Sequence, residues 1–276
     1  MIRLVRVAAL AFLLSPAAAL AQSGLTYDFT LAEMVNGQPQ SSNGHAMVLG
    51  NNVRMDIVGS SSLGSFNQMS LGDSVTVISA DTGMAQLVSL VGHKDKTYVQ
   101  FAPQVMMKKM RDMMSGMPGM SQMSFTGSQV TVDSIGSGGM IAGYNTIHYR
   151  LTIAMKIGVG GQPMGDQSSV MDTYVAPDLK EFAQGSSMLG GTEEAATMPG
   201  IPKTLTDQLT AAGKRVGYAM ALKTEITASG SMMGTSMSRK QVLEVTAVKR
   251  ADVPAASFVV PAGYKKVVPP GMESLM

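Results

Sequence analysis

From residue 25 to residue 34 apolar and polar side chains alternate (LTYDFTLAEM), the period of a strand with one face in a core and the other in water. Asn36 and Gly37 follow as a turn signal. Residues 45–50 and 53–58 repeat the alternation on either side of Asn51 and Asn52, which predicts a hairpin. Residues 74–79, 84–91 and 97–102 continue it, so the first half predicts an antiparallel meander. Further strands are expected at 129–132, 144–157, 168–176, 215–227 and 238–249, about eleven in all. The glycine- and serine-rich stretch around residues 136–139 and the run 158–165 are expected to be flexible connections. The period changes to that of a helix at Pro103, whose fixed φ suits a first turn, and the pattern runs to Met117. Pro177 to Phe182 reads as a helix start, and residues 203–212 as a helix closed by Gly213.

The first 21 residues stand apart from this pattern. Arg3 and Arg6 precede a short apolar run from Val7 to Leu14, and Ala19-Leu20-Ala21 offers a small-x-small cleavage site. They predict a signal peptide of residues 1–21, a mature chain from Gln22, and a periplasmic or secreted protein. No later stretch is apolar enough to predict a membrane-spanning helix. Cleavage would remove two arginines and no acid, taking Lys plus Arg from 21 to 19, equal to the 19 Asp plus Glu. A near-neutral chain with 14% charged and 5% aromatic residues lacks the basic, stacking surface that nucleic acid requires. With no cysteine, disulfides, thiol catalysis and cysteine-held metals are all excluded.

The chain contains 26 methionines, and they crowd residues 106–123 (MMKKMRDMMSGMPGMSQM). On a helical wheel Met106, Met107, Met110, Met113, Met114 and Met117 fall within an arc of roughly 120°, the width of one apolar helix face. Lys108, Arg111 and Asp112 fall outside it. Methionine has three soft torsions and a polarizable sulfur, so such a face conforms to partners of several shapes. Three readings are open: core packing, a compliant wall over an apolar ligand, and a soft-metal site. For the last, Met113, Met114, Met117, Met120 and Met123 are candidate copper(I) ligands, because thioethers select that ion. His45, His93 and His148 all lie elsewhere in sequence and are read as surface or hydrogen-bonded residues.

No catalytic motif appears: there is no Gly-x-Ser-x-Gly elbow, no His-Glu-x-x-His and no phosphate-binding loop. Ser60 to Ser62 read as a loop, and Glu193-Glu194 as solvated surface. Asp28 and Asp56 read as the wet face of strands. The expectation is a protein that is not an enzyme and needs no cofactor.

Near the C-terminus the segment 258–264 (FVVPAGY) resembles the ending of an exported bacterial domain family of unknown function, which closes in Phe-x-x-Pro-x-Gly-Tyr. Val53-Arg54-Met55-Asp56, the run from Gly143 to Tyr149 (GYNTIHY), and the run from Tyr174 to Asp178 (YVAPD) fit the same family, although Tyr174 stands where tryptophan is frequent. That family resembles in turn the lipoprotein-carrier (LolA/LolB-like) fold, and the resemblance implies a cavity for apolar chains. Phe258, Pro261 and Tyr264 also read as an edge strand and turn pinned to the core.

The expected fold is therefore a single α+β domain of residues 22–268, followed by a tail of residues 269–276. It is a strongly curved, mostly antiparallel half-barrel with helices plugging its concave face, the 103–117 helix among them. The expected function is non-enzymatic binding of a lipid or acyl chain beneath Met106, Met107, Met110, Met113, Met114 and Met117. Copper(I) binding and a ligand-free structural or interaction module of the envelope are the alternatives. The expected partners are an apolar small molecule or lipid and no nucleic acid, with room for peripheral contact with the membrane or an envelope protein.

Overall fold

The computed structural model describes residues 22–35, 37–59, 71–83, 85–115, 123–183, 203–217, 219–232 and 235–268. The predicted signal peptide, the tail, Met117, Met120, Ser60 to Ser62 and Glu193-Glu194 lie outside these residues. The first half runs β1 (Gln22–Val35), β2 (Gln38–Leu49), β3 (Asn52–Gly59), β4 (Ser74–Asp81), β5 (Gln86–Gly92), β6 (Thr97–Phe101) and α1 (Pro103–Ser115). The second half runs β7 (Met123–Ile141), β8 (Tyr144–Val159), β9 (Gln162–Ala176), a 3-10 helix (Pro177–Phe182), α2 (Lys203–Val216), β10 (Met220–Met232) and β11 (Thr235–Val253). A second 3-10 helix (Ala255–Phe258) and β12 (Lys265–Lys266) follow.

All twelve strands form one curved, unclosed sheet in the order β12-β6-β5-β4-β3-β2-β1-β11-β10-β9-β8-β7. Two meanders meet where β1 pairs antiparallel with β11. The one parallel pairing is β12 on β6, a strand that sequence alternation did not reveal because it is two residues long. The α+β half-barrel expected from the sequence is the architecture observed.

The inner face holds the main core. Leu25, Tyr27, Phe29 and Leu31 of β1 pack with Val53, Met55, Ile57, Val75, Val77 and Leu90 across the first meander. Leu179 and Phe182 of the first 3-10 helix close over the same cluster. Register carries this face into the second meander, because Leu31 opposes Leu243, Leu243 opposes Thr224, Thr224 opposes Thr173 and Thr173 opposes Tyr149. There α2 covers it: Leu205, Leu209 and Ala212 are buried, and Ala212 packs with Val132 and Leu151. Among the described residues the outer face is covered over the first meander, where Phe258, Val260 and Tyr264 lie on Leu49, Ile78, Val91 and Tyr98. Val75 to Ser79 of β4 are consequently buried at five consecutive positions, as a strand covered on both faces must be.

Three sequence expectations are corrected. The glycine-rich stretch around residue 136 is not a loop but part of the 19-residue strand β7, which absorbs its glycines in three register shifts against β8. Gly136 and Gly139 have φ of 112° and 77°, so they supply the bulges that kink an edge strand out of register. Gly213 does not end α2; the helix runs on to Val216, and Gly217 closes it with φ of 83° and an N–H donated to the Gly213 carbonyl. The run 158–165 is a tight hairpin at Gly160-Gly161 rather than an open connection.

Gly44 of β2 faces Phe29 across β1, and a Cβ there would lie 2.2 Å from the ring Cζ. The ring rests on the glycine backbone, filling the space a side chain would take. Gly44→Ala is expected to lower unfolding free energy by about 1–3 kcal/mol, measured by urea denaturation; an unchanged midpoint would show that Phe29 moves freely.

Candidate functional site

Helix α1 begins directly after β6, with Met106 donating its N–H to the Ala102 carbonyl at 3.0 Å. Its first turn borders a cleft of about 200 Å³ lined by Leu87, Gln100, Phe101, Ala102, Val105, Met106 and Lys266. Leu87 opposes Ala80 of the outer cluster, and Gln100 opposes Ser89, two residues from the outer-face Val91. Phe101 instead packs on the inner core. The cleft therefore lies at the rim of the sheet, where the ends of β5 and β6 offer both faces. The inner face is plugged by α2 and the first 3-10 helix, so the sequence expectation that α1 would be among its plugs is not how these elements divide the work.

The methionines sit unevenly. Met106 lines the cleft and is half-buried, as is Met107. Met113, two turns on, is 41% exposed, and Val105 is 51% exposed. None of the side chains described in α1 is buried, in contrast to the three buried in α2. Met110 and Met114 belong to the same helix, and Met123 is the first residue of β7. The structure thus places five of the six arc methionines on one helix. Of the candidate copper ligands, Met113 and Met114 are on α1 and Met123 is on β7. Among the described residues no group of three or more histidine or carboxylate side chains is placed to hold a metal ion, and no helix is long and apolar enough to cross a membrane.

The segments that resemble the exported family meet in pairs. Asp56 accepts hydrogen bonds from Arg54 at 2.9 Å and from the Thr76 hydroxyl, while Arg54 also donates to the Ser257 carbonyl at 3.2 Å. Since the Thr76 proton goes to Asp56, its oxygen accepts from Nε2–H of His93 at 2.8 Å. Nδ1 of His93 is then left to accept from the Tyr264 hydroxyl, also at 2.8 Å. This chain clamps the 258–264 segment onto β3–β5. Burial works to raise the Asp56 pKa, but the Arg54 and Thr76 hydrogen bonds, with the positive charge of Arg54, outweigh it and hold the carboxyl below its usual range. Asp56 is thus an anchor beneath the C-terminal segment, not the simple wet-face residue expected from sequence. Thr76 stands between a carboxylate and an imidazole but is 1% exposed, so no substrate reaches its hydroxyl.

The second pair joins β8 to β9. His148 shares Asp172 with Arg150 at 2.6 and 2.9 Å, and its ring stacks on Tyr174 with centroids 4.4 Å apart. Asp172 is likewise partly desolvated, yet Arg150 and His148 keep its pKa low. His45 pairs with the exposed Asp28 at 2.7 Å. All three histidines are thus hydrogen-bonded, as read from sequence.

Sequence reasoning missed Leu87, Gln100, Phe101, Ala102, Val105 and Lys266 as cleft residues. Lys266 reaches the cleft only because β12 returns to pair beside β6, a contact with no local signal.

No protein-family model and no curated protein matches the chain. Solved structures similar to it include MucB in complex with MucA(peri), at 11% identity and a TM-score of 0.33, over 89% of this chain and 56% of that one. The chain thus spans little more than half the length of that protein. A lipoprotein-sorting domain of the outer membrane from Vibrio parahaemolyticus matches at 6% identity and a TM-score of 0.29, over 85% of this chain and 88% of that one. A DUF1329 family protein from Desulfovibrio piger ATCC 29098 matches at 6% and 0.28, over 86% and 89%. By their names, one is a lipoprotein-sorting domain and the other belongs to a family of unknown function, the two kinds of protein that the resemblance led one to expect. At these TM-scores the likeness carries no functional argument, which rests on the chain's own geometry.

Tyr264→Phe removes one end of the clamp and is expected to cost about 1 kcal/mol, read as a lower urea midpoint; no change would mean that the clamp is idle. Because the folded Asp56 pKa is depressed, its stabilisation is present above the ordinary carboxylate range and lost as pH falls through the folded value. Asp56→Asn should therefore be less stable than wild type at neutral pH, with the gap closing on acidification. A gap that stays constant with pH would contradict the assignment.

Proposed function

We propose that this protein is an exported, non-catalytic binding protein that takes an apolar chain at the rim cleft, with α1 as a methionine-faced cover. The observation that carries the reading is the partial exposure of α1, with Val105 at 51% and Met113 at 41%, beside a cleft floored by Leu87, Phe101 and Ala102. An amphipathic helix held only by tertiary packing gains its stability from burying that face. Here about half of Val105 and two fifths of Met113 remain in water, surface that an incoming chain can bury.

A cleft of about 200 Å³ is slightly larger than the roughly 150 Å³ cavity that admits benzene. It accommodates the head-proximal end of an acyl chain, and the remainder runs along the helix past Met107 and Met113. Each methylene removed from water contributes about 0.8 kcal/mol, so affinity rises with chain length without a specific polar contact. Methionine suits the task because its soft torsions follow the ligand at little cost.

Displacement of a fluorescent fatty acid by unlabelled chains of increasing length tests this. We expect micromolar binding that strengthens with length, and at least a tenfold loss in Met106→Asp. Native mass spectrometry of the gently extracted protein should also show co-purifying lipid. A ligand-free protein that ignores the fluorescent probe would overturn the proposal.

A further inference from the structure

We infer that the rim cleft selects chains carrying an anionic head group, held by Lys266. This deepens the reading of the cleft as an apolar-chain site and rests on it. The cleft lining contains two polar side chains, Gln100 and Lys266. The Gln100 amide already donates to the Ser89 hydroxyl at 3.1 Å. Lys266 differs: among the described residues no carboxylate pairs with it, and no carboxylate lines the cleft.

Its position is set by backbone and packing, not by chance. Lys265 donates its N–H to the Lys96 carbonyl at 2.9 Å, and Val267 donates to the Tyr98 carbonyl at 2.8 Å. Val267 packs on the inner core, so strand alternation turns Lys266 the other way, into the cleft. The Tyr264 clamp immediately upstream fixes the register of this strand. The result is an apolar slot with one backbone-anchored lysine at its lip, complementary to a single-chain anionic amphiphile. A carboxylate and a phosphate monoester share that chemistry.

Ten-carbon ligands with different heads test it: decanoate, decyl phosphate, decanol and decylammonium, each displacing the same fluorescent probe from the full mature chain at low salt. Lys266 is exposed, so the head group should be worth up to about fivefold in affinity. Decanoate or decyl phosphate should outrank decanol by that factor, with decylammonium weakest. Whichever anion ranks first names the head group. Lys266→Ala should bring the anions level with decanol, Lys266→Glu should favour decylammonium, and 0.5 M salt should compress the wild-type series. If all four ligands bind but the order ignores charge, or survives Lys266→Glu, the inference falls while the apolar-chain reading stands. If none binds, that reading falls and this one with it.

Discussion

A sheet that curves without closing has two faces to cover, and this chain has few helices with which to do it. The inner face is closed in two pieces, by the 3-10 helix bearing Leu179 and Phe182 and by α2 with Leu205, Leu209 and Ala212. The outer face of the first meander is closed by an irregular segment carrying Phe258 and Tyr264. The hydrogen-bonded chain from Arg54 through Asp56, Thr76 and His93 to Tyr264 holds it there. Thr76 is buried and the other four groups are partly buried, and each has its partner, the condition under which such a network stabilises.

The same segment links fold to function. Once Tyr264 is fixed, Lys265 and Lys266 are delivered as a parallel strand beside β6, the strand that leads into α1. The clamp thus finishes the sheet edge and sets one wall of the cleft. The helix opposite it is tethered at Ala102, and none of its described side chains is fully buried.

Much of the fold was legible in the residues. Alternation from Leu25 to Met34 marked β1, and Asn51-Asn52 marked the β2–β3 hairpin to within one residue, its turn being Gly50-Asn51, because both features are local. Strand β7 was not, since its glycines read as loop while cross-strand pairing with β8 overrode their local preference. The role of Asp56 was hidden because its partner Thr76, and His93 bonded to Thr76 in turn, lie 20 and 37 positions away in sequence. The helix of the candidate site was legible from its period, down to the start at Pro103. Its placement at the rim was not, for a helical wheel says which residues share a side and nothing about what they meet.

The central claim is that α1 is a lightly held apolar cover, and amide hydrogen exchange tests it most directly. Exchange reports the free energy of local opening, which falls where few apolar groups are buried. The account predicts that residues 103–115 exchange far faster than β1 and β11, and that an acyl ligand slows them while leaving the central strands unchanged. Protection of α1 equal to that of the central sheet, and unaltered by ligand, would contradict it.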